Sequence, residues 1–474
     1  MEKQLESGFQ RLRGNVGRTQ YFALGFGCII GSGWVVIAGD WLEAAGPGGA
    51  ILGFLLGGAV IALVGACYAE LTSQVPEAGS EFAYARRVFG ERTAFAVGWF
   101  LLLYFIAVAV FEGLALAWIF ELIWPLTRSA DLYTTFGQQV PLGAIVIGAT
   151  VAIAIAAINF LGVGAAARLQ SVLTYGFLAV AIALLGWLIP LGSFENAQPL
   201  FKGPGDTPWY YGTLWIFATC AFLLNGFQAI PQVVEERSSS VSLAHVAGLI
   251  VVSIVAGVAF YCFVILANSV AVPWTKLAGT EMATVTAVKT LPWGNQLAVV
   301  LLLAAAASLI KTWNGMVMMA ARLMVAMARA GALPASFATL DQRFGSPARA
   351  LLFIAIMNVA GLLLGRGAII PIINMCSMTL TLTFIMCCTA VILLRRRGGA
   401  PAPFTVPGGT SVILLTLLAA TAMAITAFAS PIFNNPGSIP TEYILLVVWS
   451  AAGAVFAWLT VKSRGNRVVA EGRV

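Results

Sequence analysis

Apolar blocks of roughly 18 residues or more recur along the whole chain between short polar or Gly/Pro-rich connections, and blocks of that length predict membrane-crossing helices. The pattern gives about twelve spans, near residues 19–44, 48–73, 93–123, 139–160, 168–190, 209–234, 243–268, 296–327, 348–366, 368–394, 411–430 and 441–462. Two are interrupted in the middle, the first by Gly31-Ser32-Gly33 and the sixth by Asn225-Gly226. A helix that unwinds in hydrocarbon is tolerable only where its released N–H and C=O groups meet a ligand, an ion or other protein. Matching interruptions in the two halves of a hydrophobic chain therefore predict a substrate site near mid-membrane, between inverted repeats. The repeats are expected at about 14–192 and about 206–397, five spans in each. Five is odd, so the second set must enter from the opposite side. The predicted fold is an all-α integral membrane protein, one transmembrane domain over 1–474. It has a 5+5 inverted repeat with broken helices 1 and 6, and two peripheral helices at about 405–462.

Composition agrees with that class. With 60% hydrophobic and 9% charged residues over 474 positions, and a mean hydropathy of +0.93, the chain has too few polar groups to cover a soluble globule. The net charge of +7 could indicate nucleic acid, but its distribution does not. Lys and Arg counted loop by loop fall about 20 on the side of both termini and about 5 on the other, the latter being Arg128, Lys202, Lys276, Lys289 and Arg366. The basicity is a topology signal, placing both termini in the cytoplasm of a multi-pass protein of the cytoplasmic (inner) membrane. The polar, basic first twenty residues lack an apolar core followed by a small-residue cleavage site, so no removed signal peptide is expected. The seven cysteines (28, 67, 220, 262, 376, 387 and 388) all lie in apolar spans without metal-type spacing. Neither a disulfide framework, a metal nor a cofactor is expected.

Four stretches carry a resemblance. Gly27-Cys28-Ile29-Ile30-Gly31-Ser32-Gly33 resembles the first-helix break of the amino acid-polyamine-organocation permeases. Pro76 to Tyr84, PEAGSEFAY, is similar to their P-x-A-G-G-x-Y-x-Y loop, with serine at the second glycine. Phe222 to Glu236, FLLNGFQAIPQVVEE, resembles their sixth-helix segment ending in paired glutamates, and Arg322 to Pro334, RLMVAMARAGALP, their eighth-helix end. The resemblance implies a LeuT-like fold and a substrate carboxylate held at Ile30, Gly31, Ser32 and Gly33. The chemistry suits that role, because N–H groups at a helix start, with the positive dipole end, attract anions. At the second break, carbonyls near Phe222, Leu223 and Leu224, released ahead of Gly226, suit an ammonium group. By the family pattern Phe222 closes over the substrate. Asn225 departs from the usual apolar residue; its amide either bonds a polar substrate side chain or satisfies the broken backbone. Gly53, Gly57 and Gly58 in the second span read as close-packing positions.

Two charges stand deep in the spans. Lys311 is about 15 positions, roughly 22 Å, from each end of the eighth span, too far for its stem to reach water. It must meet a partner, meet water or give up its proton. The resemblance implies a reason: sodium-coupled relatives hold a cation between the first break and this helix, and some sodium-independent ones place a lysine there from the fifth helix. The matching fifth-helix position here is Phe177, so Lys311 supplies the charge from the other wall, either as a proton carrier or as a fixed cation. Glu112, a little outward of the middle of the third span, could pair with Lys311, carry a proton, bind a second amine or face the outer vestibule. Glu70, Asp40, Glu121, Glu235 and Glu236 lie nearer span ends. Glu281 to Leu291 reads as an outer lid or a plain surface helix.

The single histidine, His245, at the start of the seventh span, leaves proteolysis or acyl transfer without a base, and no phosphate loop or dinucleotide fingerprint occurs. An enzyme is not expected. A channel would favour repeated pore rings over two inverted halves; a receptor on a permease fold would bind without transporting. The expected function is secondary transport of a small neutral amino acid by alternating access, sodium-independent and proton-linked. The alternatives are an antiporter or an organic-cation permease for a polyamine, diamine or ethanolamine with Glu112 as the amine ligand. The expected partners are that small molecule and the lipid bilayer, with nucleic acid excluded and oligomeric state open.

Overall fold

The computed structural model describes residues 16–31, 33–125, 130–203, 205, 207–280, 282–398, 402–434 and 439–471, with side chains to 458 apart from 433 and 434. Ser32, Arg128 and Glu281 lie outside the described residues. The first apolar block is α1 (Arg18–Ile29), a gap, α2 (Gly33–Val36) and the start of α3 (Ala38–Gln74). α3 changes direction at Gly46, whose φ of +66° is a left-handed backbone suited to glycine, just before Pro47; its remainder is the second span. A short helix, α4 (Glu81–Phe89), precedes α5 (Glu91–Ile123), and α6 (Leu142–Phe160) and α7 (Val163–Leu191) complete the first set. The sixth block splits into α8 (Trp209–Leu223) and α9 (Ala229–Gln232). Then come α10 (Leu243–Ala271), α11 (Ala283–Val288) in a connection, α12 (Gly294–Arg329), α13 (Ala348–Leu362), α14 (Ile369–Arg397), α15 (Gly409–Asn434) and α16 (Thr441–Glu471).

Nine helices among the described residues are long and apolar enough to cross a membrane. The three remaining predicted spans are the two broken ones and α13, an apolar helix of 15 residues. A departure from the all-helical expectation is an antiparallel hairpin of β1 (Asp131–Thr135) and β2 (Gln138–Pro141) between the third and fourth spans. Its strands are short and mostly exposed, so no apolar alternation announced them. Arg86, Arg87, Arg237 and Arg395 to Arg397 mark one end of the bundle, the basic face; β1 and β2 mark the other, the hairpin face.

The packing follows the two halves. α3 lies against α10, α5 against α12 and α6 against α13, each helix with its counterpart five spans on. α7 packs on α12 as α14 packs on α5, the exchange an inverted pair requires. Small residues permit the closest approaches: a Cβ on Gly53 would stand 2.6 Å from the Ile216 side chain, and one on Gly57 2.6 Å from Cys220 Sγ, where α3 meets α8. A Cβ on Gly58 would stand 2.3 Å from Val258.

Candidate functional site

The two interruptions meet. Gly226, at φ +108°, presses its α-carbon against the end of α1, where an added Cβ would stand 2.4 Å from the Cys28 carbonyl and 2.8 Å from the Ile29 nitrogen. Glycine is required twice over, by the backbone angle and by the contact. Tyr261 of α10 ties both breaks, its hydroxyl 3.4 Å from the Ile29 carbonyl and 3.3 Å from that of Leu223. Asn225 bonds the broken backbone and a third helix: its Nδ2 donates to the Phe222 carbonyl at 2.5 Å, and its Oδ1 accepts from Tyr104 of α5. The carbonyls of Phe222 and Leu223 thus find partners within the protein, and Gly226 N–H donates to Gln228 Oε1 at 2.7 Å.

One face of α12 closes the first break. Ser308, Lys311 and Thr312 stand at helical i, i+3 and i+4 spacing, so they share a side of α12. Lys311 Nζ donates to the Gly27 carbonyl at 2.6 Å and to that of Ile30. Ser308 Oγ donates to Ile30 and Gly31 carbonyls at 2.9 and 3.0 Å, and Thr312 Oγ1 lies 3.3 Å from that of Gly27. Phe177 of α7 faces the ammonium from the other wall, its ring centroid 4.6 Å from Nζ. Lys311 is fully buried. Beneath it Asn159, Asn314 and Gln170 form a buried polar chain reaching Cys28.

Glu112 of α5 is 2% exposed and makes no ion pair with Lys311 among the described residues. Its Oε1 lies 3.1 Å from where a Cβ on Gly31 would stand, and its Oε2 has no hydrogen-bond partner. A cavity of about 570 Å³ begins at Cys28, Gly31, Glu112 and Phe222 and runs to the hairpin face, where Phe136, Thr280 and Arg366 line it. Ile30 and Leu224 are buried behind its wall, whereas Gly33, Leu223 and Asn225 line it. Asp40 lines its outer part, and the Arg366 guanidinium stacks on Trp118 at 3.7 Å. α11 is no plain surface helix: it packs on α2, with Thr284 Oγ1 donating to the Trp34 carbonyl at 2.7 Å.

Toward the basic face the route is sealed. Val16, just before α1, pairs its backbone with Glu236 and Ser238, and Tyr21 donates to the Val233 carbonyl at 3.1 Å. Arg322 of α12 and Glu236 form a 3.1 Å ion pair, both 2% exposed, and Arg329 holds Glu235 at 3.1 Å. Glu70 is held by Arg395 at 2.6 Å.

Sequence reasoning located the breaks, Lys311 and Glu112, and it missed Tyr104, Tyr261, Ser308 and Thr312. The two hydroxyl residues share the face of Lys311, a spacing that could have exposed them. The tyrosines are single polar tips in apolar helices and carried no such signal.

The comparisons with known proteins converge on one family. The profile of the family described as "Amino acid permease" matches residues 16–456. The methylthioribose transporter of Bacillus subtilis (strain 168) is 29% identical over 391 residues, 79% of this chain and 79% of that protein. The branched-chain amino acid permease BcaP of the same organism is 25% identical over 414 residues, 85% of each. The vacuolar cationic amino acid transporter 2 of Arabidopsis thaliana is 27% identical over 399 residues, 79% of this chain and 58% of that longer protein.

Proposed function

The chain belongs to the amino acid permease family, in the amino acid-polyamine-organocation superfamily, and from that premise we propose that it is a secondary carrier moving a small neutral amino acid by alternating access. The observation that carries this reading is the contact of the two breaks at Gly226 and Cys28, at the floor of a cavity open toward one face and sealed from the other. The cargo's carboxylate sits at Ile30, Gly31, Ser32 and Gly33, where α2 begins. Its ammonium sits near Phe222, Leu223 and Leu224, where carbonyl oxygens carry two lone pairs and so can accept beyond a bond within the protein, with Asn225 and Gly226 shaping that wall. The repeats run over about 14–192 and 206–397. The protein lies in the cytoplasmic membrane with both termini and the basic face inward, so the cavity faces outward.

Lys311 makes the carrier sodium-independent. Its ammonium already occupies the carbonyls of Gly27 and Ile30 that a sodium ion would need. Lys311 and Glu112 together link transport to protons. Two anions cannot share the space beside Gly31 without one being neutralised, so a carboxylate-bearing cargo enters with a proton on Glu112. The unpartnered Oε2 of Glu112 also favours a second reading, a cargo with an additional amine that pairs with the ionised carboxylate. Uptake in proteoliposomes separates the two. Glu112→Gln is expected to spare neutral amino acid exchange and to abolish diamine transport; loss of both, or of neither, contradicts the assignment of Glu112.

A further inference from the structure

Directly beneath the second break, on the sealed side, lies a buried acidic group that the substrate site does not use. Glu81 opens α4, outside the spanning helices, and is fully buried. Its Oε2 accepts from Gln232 Nε2 of α9 at 3.1 Å. Its Oε1 and Gln232 Oε1 both lack partners. Two acceptors are thus orphaned on one facing pair of side chains, an arrangement that costs free energy in a dry site. One hydrogen cures both defects, because a protonated carboxyl gains a donor while keeping an acceptor. Glu81 and Gln232 would then form a two-point acid–amide pair.

The surroundings offer hydroxyls but no counter-charge. The titratable groups facing Glu81 are Tyr68 of α3, Tyr84 of its own helix, Tyr104 of α5 and Cys387 of α14, none of them a cation. The Tyr68 hydroxyl and Ser80 Oγ, buried without other partners, face the carboxylate and ease its burial, but they bring no positive charge. The charges at this end of α12, Arg322 and Arg329, are bonded to Glu236 and Glu235. A buried carboxylate without a counter-charge is strongly disfavoured.

We propose that Glu81 is a proton-binding site of the basic-face gate, taking up a proton when α9 closes over it and releasing it when that face opens to water. The functional consequence rests on the carrier reading; the proton site itself does not. Burial pushes the Glu81 carboxyl from its ordinary 4.5 up to about 7. A group raised on closure favours the closed gate at acid pH. That advantage falls as pH rises from 4.5 to about 7 and is absent above, an overall change of roughly 300-fold in the closed-to-open ratio.

Infrared difference spectroscopy of the purified full chain, titrated in lipid bilayers without any cargo, tests the site. A protonated-carboxyl carbonyl band titrating near pH 7 is expected, absent in Glu81→Gln and present in Glu112→Gln. Gln232→Leu, which keeps the acid but removes its partner, is expected to shift the band. A band that survives Glu81→Gln, no band titrating near pH 7 in the unaltered chain, or a band unmoved by Gln232→Leu overturns the proposal. A failed uptake assay would count against the carrier and leave this titration untouched, so the two claims fail separately.

Discussion

At Lys311, opposing contributions are close to balance. Taking an ammonium out of water costs several kcal/mol, of order ~5. Two charge-assisted bonds to carbonyls return roughly 1.5–3 kcal/mol each, and a desolvated ring such as Phe177 returns about 2. A site so near balance is one whose proton depends on the carbonyls of the first break staying in place. Lys311→Ala is therefore expected to remove pH-driven uptake while leaving the protein folded, measured as uptake under an imposed pH gradient. Full retention of that uptake would end the proton-carrier reading. Tyr261→Phe removes a hydroxyl shared by two breaks and should cost about 1 kcal/mol of stability, read by thermal melting. Charges in hydrocarbon are legible in a sequence because almost nothing else explains them. Tyr261 and Tyr104 were not, since a tyrosine is at home in any apolar helix until its hydroxyl is seen to have a partner.

At the scale of elements, the breaks are backbone events, and Gly226 is the position that allows them to touch. Gly226→Ala meets a strained φ of +108° and a carbonyl 2.4 Å from its new methyl. Backbone strain alone costs about 1–3 kcal/mol, so a lower melting temperature and loss of uptake are expected together. Normal uptake by this variant would show that the two breaks need not be in contact. The spans themselves were readable because their length and apolarity are imposed by the bilayer. The hairpin was not, because its two short, mostly exposed strands obey no such constraint. The split of the sixth block into α8 and α9 was visible only through Asn225-Gly226; the way Asn225 spends its amide on the Phe222 carbonyl depends on a third helix, α5, that the local sequence does not mention.

Over the whole molecule, the cavity at the breaks opens to the hairpin face and ion pairs between α12 and the end of the sixth block close the basic face beneath it, the asymmetry alternating access requires. Arg322→Ala leaves Glu236 buried without its cation, a loss of about 3–5 kcal/mol that should fall on the closed arrangement and lower the melting temperature. The inverted pairing of helices followed from an odd count of spans per half; the seal at the basic face did not, because its ion pairs join residues far apart in the chain. The most direct measurement is uptake of labelled amino acids and amines by the purified protein in proteoliposomes, with sodium and pH gradients imposed separately. Saturable uptake of a small amino acid is expected, raised by an inward proton gradient, indifferent to sodium and abolished by Gly226→Ala. Uptake that requires sodium, or none of any amino acid or amine under any gradient, would contradict a carrier seat built where the two interrupted helices meet.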